Sequence, residues 1–186
     1  VVLANRNSPS QTVISGPTAA IAAATTALEA AGLEVKPIPV ACAFHSPVVA
    51  AASKGLAEFL GGLEVGTPDR PVYANSTAAP YGDDVVGTLA GQVEKPVRWA
   101  ESVERMAADG ASIFVEVGPG RVLTRLVGKV LGDRPHLARS LEDKRGGGAL
   151  SGLVRLLANL VAAGVDIDPA VLFAGRAEPF DLDAPP

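Results

Sequence analysis

The sequence predicts an α/β fold, and three observations carry that prediction. Short apolar runs bounded by Gly, Pro, Ser and Asn alternate with longer stretches of helical period. The first forty-four residues read as strand, strand, helix and strand, which is most of a ferredoxin-like unit and leaves that unit incomplete. A Gly-rich break at residues 142–148 then separates the body from a terminal amphipathic helix.

Residues 1–6 and 11–16 are the first two predicted strands. Asn7-Ser8-Pro9-Ser10 between them are turn formers, so a hairpin is expected. Pro17-Thr18 opens a helix running to about Ala31 and ended by Gly32, with Ile21, Ala24 and Leu28 on one face. Residues 33–41 are the next predicted strand. A helix from about Pro47 to Leu60 closes at Gly61-Gly62. Residues 71–75 read as a short strand and 77–82 as a loop. Residues 84–93 and 96–109 are expected to be helical, and Pro96 suits a helix first turn. Residues 111–117 read as a buried strand ended by Gly118-Pro119-Gly120. Residues 121–131 follow as a helix with Val122, Leu126 and Val130 on one face, and residues 136–141 as a last strand. This alternation implies a mainly parallel sheet covered by helices. Beyond the linker, residues 149–163 form a helix whose Leu150, Leu153, Leu157 and Leu160 make an apolar stripe that needs a surface. Residues 166–186 read as loop and short turns.

Composition excludes several classes of function. Hydrophobic residues make up 48% of the 186 and charged residues 19%, so the chain is globular. A net charge of −4, with no basic stripe, argues against nucleic-acid binding. No apolar run approaches the roughly 18 residues of a membrane span, and no signal peptide is evident. The single cysteine, Cys42, excludes an internal disulfide and a multi-cysteine metal site, and fits a cytoplasmic location. The chain opens with Val1 directly into an apolar run and reads as a piece of something longer.

His45 is the candidate for chemistry. It stands in Ala43-Phe44-His45-Ser46-Pro47, at the junction of a predicted strand and a predicted helix. Such a position can free a histidine from both backbone ladders and present it as a base. The alternative is a polar residue beside a helix cap. His136, the other histidine, has nothing chemical near it in sequence. Ser46 reads as a helix cap rather than a nucleophile, and Cys42 as buried packing. Gly118-Pro119-Gly120 precedes a helix and could suggest a phosphate loop. It lacks both the Lys-Ser/Thr of a P-loop and the Gly-x-Gly-x-x-Gly pattern, so the structural reading is preferred.

Four segments in register carry a resemblance. They are Asn5-Arg6-Asn7-Ser8-Pro9, Ala43-Phe44-His45-Ser46-Pro47, Gln92-Val93-Glu94-Lys95-Pro96-Val97-Arg98-Trp99, and Phe114-Val115-Glu116-Val117-Gly118-Pro119-Gly120. Their order and spacing resemble the malonyl-CoA:acyl carrier protein transacylase family, which includes the acyltransferase domains of polyketide and fatty acid synthases. The resemblance runs to about residue 141. It implies part of an α/β-hydrolase-like acyltransferase core. Residues 1–44 would be the partial small subdomain, 45–141 the C-terminal part of the large subdomain, and 142–186 the linker after it.

The resemblance also implies roles. A family serine attacks an acyl thioester while a histidine, matching His45, takes its proton. A backbone carbonyl at the position of Gln92 orients that histidine; the competing reading of Gln92 is an ordinary helix end. Because a backbone atom acts there, the identity of the Gln92 side chain says little about that role. Phe44 matches the position linked to extender choice, where a phenyl ring would exclude an α-methyl group; core packing is the alternative. Asn5 and Asn7 match a segment facing the cleft, and Asn7 is a substrate-binding candidate, with a plain turn role as its rival. Malonyl-CoA would be the donor and phosphopantetheine on an acyl carrier protein the acceptor, with no tightly bound cofactor and no metal. Neighbouring synthase domains would be further partners. The Ala-Cys-Ala-Phe-His-Ser-Pro form suggests an iterative polyketide synthase.

One departure matters most. The family nucleophile lies in a Gly-His-Ser-x-Gly turn, and no such motif occurs in the 186 residues. The carboxylate-binding arginine segment and the Gln-Gly-rich oxyanion segment are also missing. The chain by itself is therefore expected to be inactive, and to work with the N-terminal half of the same domain. Two rivals remain at this point: a serine acyl hydrolase of similar fold, and a degenerate, non-catalytic scaffold.

Overall fold

The computed structural model describes residues 1–142 and 148–175. Residues 143–147 of the linker predicted at 142–148, and residues 176–186 of the predicted terminal loop, lie outside the described residues. The chain falls into two units, Val1–Ile113 with Arg125–His136, and Phe114–Thr124 with Leu137–Pro186.

In the first unit, β1 (Val2–Ser8) and β2 (Gln11–Ser15) form the expected antiparallel hairpin. Pairing continues to Ser8, so Pro9-Ser10 alone make the turn, and Asn7 belongs to the strand. The register slips between Leu3 and Asn5 and again between Arg6 and Ser8, which places Ala4 and Asn7 at bulges. Helix α1 (Thr18–Ala30) follows, with Ile21, Ala24 and Leu28 half-buried on one face as their spacing predicts.

Residues 33–41 do not form the predicted strand. Pro37 and Pro39 have no N–H to give a ladder. The segment's own backbone bond is a tight turn, with the Val40 N–H donating to the Ile38 carbonyl at 2.9 Å. Leu33, Ile38 and Val40 stay exposed, so alternation here marks apolar surface rather than a paired strand.

A 3₁₀ turn, Pro47–Val49, leads into α2 (Ala50–Leu60). β3 (Tyr73–Ala74) pairs with β4 (Ala79–Pro80), so part of the predicted 77–82 loop is a short strand. Helix α3 (Val85–Gly91) packs against α2, where the Ser53 hydroxyl donates to the Ala90 carbonyl at 3.0 Å. Helix α4 (Trp99–Ala108) starts three residues after Pro96, later than predicted. The reason is that Val97 is held extended against β1: its N–H donates to the Ala4 carbonyl, and the Arg6 N–H to its carbonyl, both at 2.8 Å. Ala4, Ala74, Ala90 and Val103 are buried in this unit.

Helix α5 (Val122–Leu131) takes its first turn from the second unit and its remainder from the first. Its buried face is Leu126, Val127, Val130 and Leu131, while Val122, predicted to face the core, is 56% exposed at the helix start.

In the second unit, β5 (Ile113–Glu116) is hydrogen-bonded to β6 (Leu137–Ser140). β5 is half-buried, not buried as predicted, and the next residue, Val117, is 80% exposed. Helix α6 (Gly148–Ala162) packs on β6, and Arg139 Nε donates to Asn159 Oδ1 at 3.1 Å. Its buried line runs through Gly152 and Leu156, flanked by half-buried Leu153, Leu157 and Leu160. Leu150, assigned to the stripe from its spacing, is 55% exposed in the first turn.

The strands form three two-stranded sheets, not the mainly parallel sheet the alternation implied. Each described strand finds one partner, so no wide sheet forms among the described residues. No helix among them is long and apolar enough to cross a membrane.

Candidate active site

The site begins with a turn that the sequence Ala43-Phe44-His45-Ser46-Pro47 dictates. Ser46 is almost wholly buried and caps the 3₁₀ turn: its Oγ accepts from the Val48 N–H at 3.3 Å and donates to the Ala43 carbonyl at 2.6 Å. Pro47 takes the first helical position, where a missing N–H costs nothing. Between these anchors His45 adopts φ +56°, a backbone region that non-glycine residues rarely occupy. Such a conformation costs on the order of 1–3 kcal/mol and persists only where neighbours hold it.

The neighbours are carbonyl oxygens at the end of α3. That helix stops at Gly91, whose carbonyl accepts from the N–H groups of Glu94 and Lys95 at 3.3 and 3.0 Å. The carbonyls beyond a helix end have no ladder partner. His45 meets three of them. Its N–H donates to the Val93 carbonyl at 3.0 Å, and its Nδ1 lies 3.0 Å from both the Gln92 and the Lys95 carbonyls. A carbonyl oxygen can only accept, so Nδ1 carries the proton and the lone pair of the neutral ring is at Nε2. A cavity of about 390 Å³ opens beside the ring, lined by Val2, His45, Pro47, Glu94, Lys95 and Pro96.

The structure brings Gln92 onto His45 but does not place Phe44 or Asn7 on that cavity wall. Phe44 is 52% exposed, so it is not a core residue. Asn7 is half-buried at the β1 bulge, and Asn5 sits opposite Val13 and bridges to Val97. Cys42, read as buried packing, is exposed; the segment before the turn has no strand partner to cover it. In the same unit, at the start of α4, the Glu101 carboxyl is held below the ordinary glutamate range. Burial opposes its charge, but its own backbone N–H, the Arg6 guanidinium at 2.9 Å and Arg98 outweigh that.

The Gly118-Pro119-Gly120 segment behaves differently. Gly120, at φ +82°, gives its N–H to the Glu142 carboxylate, and its carbonyl accepts from the Ser140 hydroxyl. At the start of α5, Glu116 accepts from the Leu123 N–H at 3.2 Å and from the Thr124 N–H and hydroxyl at 2.7 Å each. Burial resists ionisation of Glu116, yet these donors keep its carboxyl below the ordinary value. The N–H groups a phosphate would need are already given to carboxylates.

Sequence reasoning missed the Lys95 and Val93 carbonyls, because backbone acceptors leave no side-chain signature. The signal present was Gly91 ending a helix and Pro96 stopping its continuation, which together guarantee free carbonyls between them. It also missed what the Gln92 side chain does: Oε1 accepts from the Asn75 N–H at 2.7 Å and Nε2 donates to Tyr81 Oη at 2.6 Å.

Residues 1–155 match the acyl transferase domain family. A malonyl CoA-acyl carrier protein transacylase from Haemophilus influenzae is 38% identical over 132 residues, covering 69% of this chain and 42% of that protein. Among solved structures, the acyltransferase domain of an iterative polyketide synthase in enediyne biosynthesis superposes with a TM-score of 0.80 at 35% identity, covering 94% of this chain and 44% of that one. A type II polyketide synthase acyl carrier protein in complex with its malonyl-transacylase gives a TM-score of 0.75 at 32% identity, covering 84% and 49%. The chain spans less than half the length of each of these three proteins.

Proposed function

We propose, since this chain belongs to the acyl transferase domain family, that it carries the general base of malonyl transfer from coenzyme A to an acyl carrier protein. The observation that supports this is the single-sided satisfaction of His45. Two carbonyls hold Nδ1, and Nε2 is left as the proton acceptor. The relatives are a malonyl transacylase and acyltransferases of polyketide synthesis, one of them in complex with a carrier protein.

The steps follow from that base. Nε2 takes the proton of a serine hydroxyl as its oxygen attacks the thioester carbonyl. The imidazolium returns the proton to the departing coenzyme A sulfur, leaving malonyl-serine. The phosphopantetheine thiol of the carrier then gives its proton to Nε2 and attacks the ester, and the serine oxygen is reprotonated. The serine comes from a Gly-His-Ser-x-Gly turn, a motif that the 186 residues do not contain. In this reading Phe44 borders the acyl group and Asn7 faces the cleft. Residues 1–44 are part of a ferredoxin-like small subdomain, 45–141 the C-terminal part of the large, α/β-hydrolase-like subdomain, and 142–186 the linker.

The test uses the complete domain with labelled malonyl-CoA. His45→Ala should slow serine acylation by about 10²–10⁴-fold. Near-normal labelling of that variant rejects the role. The 186-residue chain alone should show no malonyl adduct by intact mass, and a stoichiometric adduct would move the nucleophile into this chain.

A further inference from the structure

We infer that the Gln92 side chain, gripped by Tyr81 and by the Asn75 backbone, is a tether that aims the Gln92 carbonyl at His45. It is a positioning device, and its catalytic consequence rests on the base role proposed above. Gln92 is the C-cap of a seven-residue helix, a place where chains ordinarily fray. Its carbonyl direction depends on the peptide plane between residues 92 and 93, whose one backbone bond is the long 3₁₀-type contact from the Val93 N–H to the Ala90 carbonyl at 3.3 Å. The side chain adds a second and shorter restraint. The Asn75 N–H can only donate, so Oε1 must face it, and Nε2 is thereby turned to Tyr81 Oη.

The post to which the tether is tied is itself held. Asn75 opens the turn of the β3–β4 hairpin, and Tyr81 directly follows β4. The Asn75 carbonyl accepts from the Arg98 N–H at 2.8 Å, and the Thr77 carbonyl from the Arg98 guanidinium at 3.1 Å. The Tyr81 N–H donates to the Val72 carbonyl at 2.8 Å. Ala74 within the hairpin is fully buried. The Asn75 N–H takes the glutamine oxygen and Tyr81 Oη takes its N–H, so glutamine supplies an acceptor and a donor from one end at the reach observed. The backbone atom acts, and the side chain aims it.

The experiment reads His45 directly. The 186-residue chain is labelled with ¹⁵N-histidine, and the ring tautomer and Nδ1 proton exchange are followed by NMR at a pH where the ring is neutral. His136 is an internal control, because its Nδ1 donates to the Arg134 carbonyl at 2.7 Å without any part of the tether. In the parent chain both rings should be protonated at Nδ1. In Gln92→Leu the His45 tautomer should become mixed and its Nδ1 proton exchange faster, with His136 unchanged. Tyr81→Phe, which removes one oxygen, should shift His45 in the same direction by less. An unchanged His45 signature in Gln92→Leu would mean that the Lys95 carbonyl alone holds the ring, and the tether would be rejected. In the complete domain, the same variants should lower kcat by about 10–100-fold with KM for malonyl-CoA little altered. A shifted tautomer with unchanged kcat would leave the tether standing and overturn the base role instead.

Discussion

Residues 43–50 and residues 116–124 are both turns that feed a helix, and they treat their polar atoms in opposite ways. At the first turn an imidazole is held on one side by carbonyls and left open at Nε2 beside a cavity. At the second, carboxylates from Glu116 and Glu142 take up N–H donors that a ligand would need. The second turn has the glycines that invite a binding interpretation; the first has none at its centre. What separates a site from a scaffold here is an atom left unsatisfied next to open space. Glycine content supplies backbone freedom, and that freedom serves packing as readily as it serves a ligand.

The largest effects should come from the open turn. His45→Ala and His45→Gly should both remove the proposed base, a loss of about 10²–10⁴-fold in serine acylation. They should differ in stability, because His45 sits at φ +56°. Glycine accepts that conformation and alanine does not, so His45→Gly should be the more stable of the two by about 1 kcal/mol in denaturant unfolding. Equal stability would show that the turn relaxes when the imidazole is gone. A smaller effect is expected beside it. Phe44 is half-exposed next to His45, and Phe44→Ser should raise methylmalonyl use relative to malonyl by no more than about 10–100-fold. An unchanged ratio in competition would remove Phe44 from the acyl pocket.

Much of this was legible in the sequence, for reasons that also explain the failures. The β1–β2 hairpin, α1 and α2 were visible because turn formers and helical spacing are local signals. His45 stood out because a histidine flanked by Ser-Pro has a helix start imposed on it. Gln92 came from the resemblance, since a backbone acceptor cannot be read from a side chain. The strand expected at 33–41 failed because pairing needs a neighbour, and composition cannot report whether one exists. Pro96 was placed in a helix because its preference for a first turn is local, whereas the bonds holding Val97 to β1 span more than ninety residues. The grip of Tyr81 and Asn75 on Gln92 was invisible for the same reason.

The saturated turn offers the smallest effect and the sharpest contrast. Glu116 holds the start of α5 through two N–H groups and a hydroxyl. Burial works against its charge, but the Thr124 hydroxyl and the N–H groups of Thr124, Leu123 and Val122 bring its carboxyl below the ordinary value of 4.5. A carboxyl depressed in the folded state contributes stability that is fully present above its unfolded value. That contribution is lost as pH falls through the lower folded value. Glu116→Gln keeps the shape and removes the charge. It should cost about 0.5–2 kcal/mol at pH 7, the range of a lost helix cap. The gap between variant and parent should shrink as pH drops below 4.5, because protonation of the unfolded parent then removes the advantage of the charge held in the fold. Denaturant unfolding of both proteins at pH 7 and at pH 3 measures it. A gap that does not narrow at all between pH 7 and pH 3 would assign the loss to packing. A variant that also lost malonyl transfer in the complete domain, per folded molecule, would erase the distinction between the two turns.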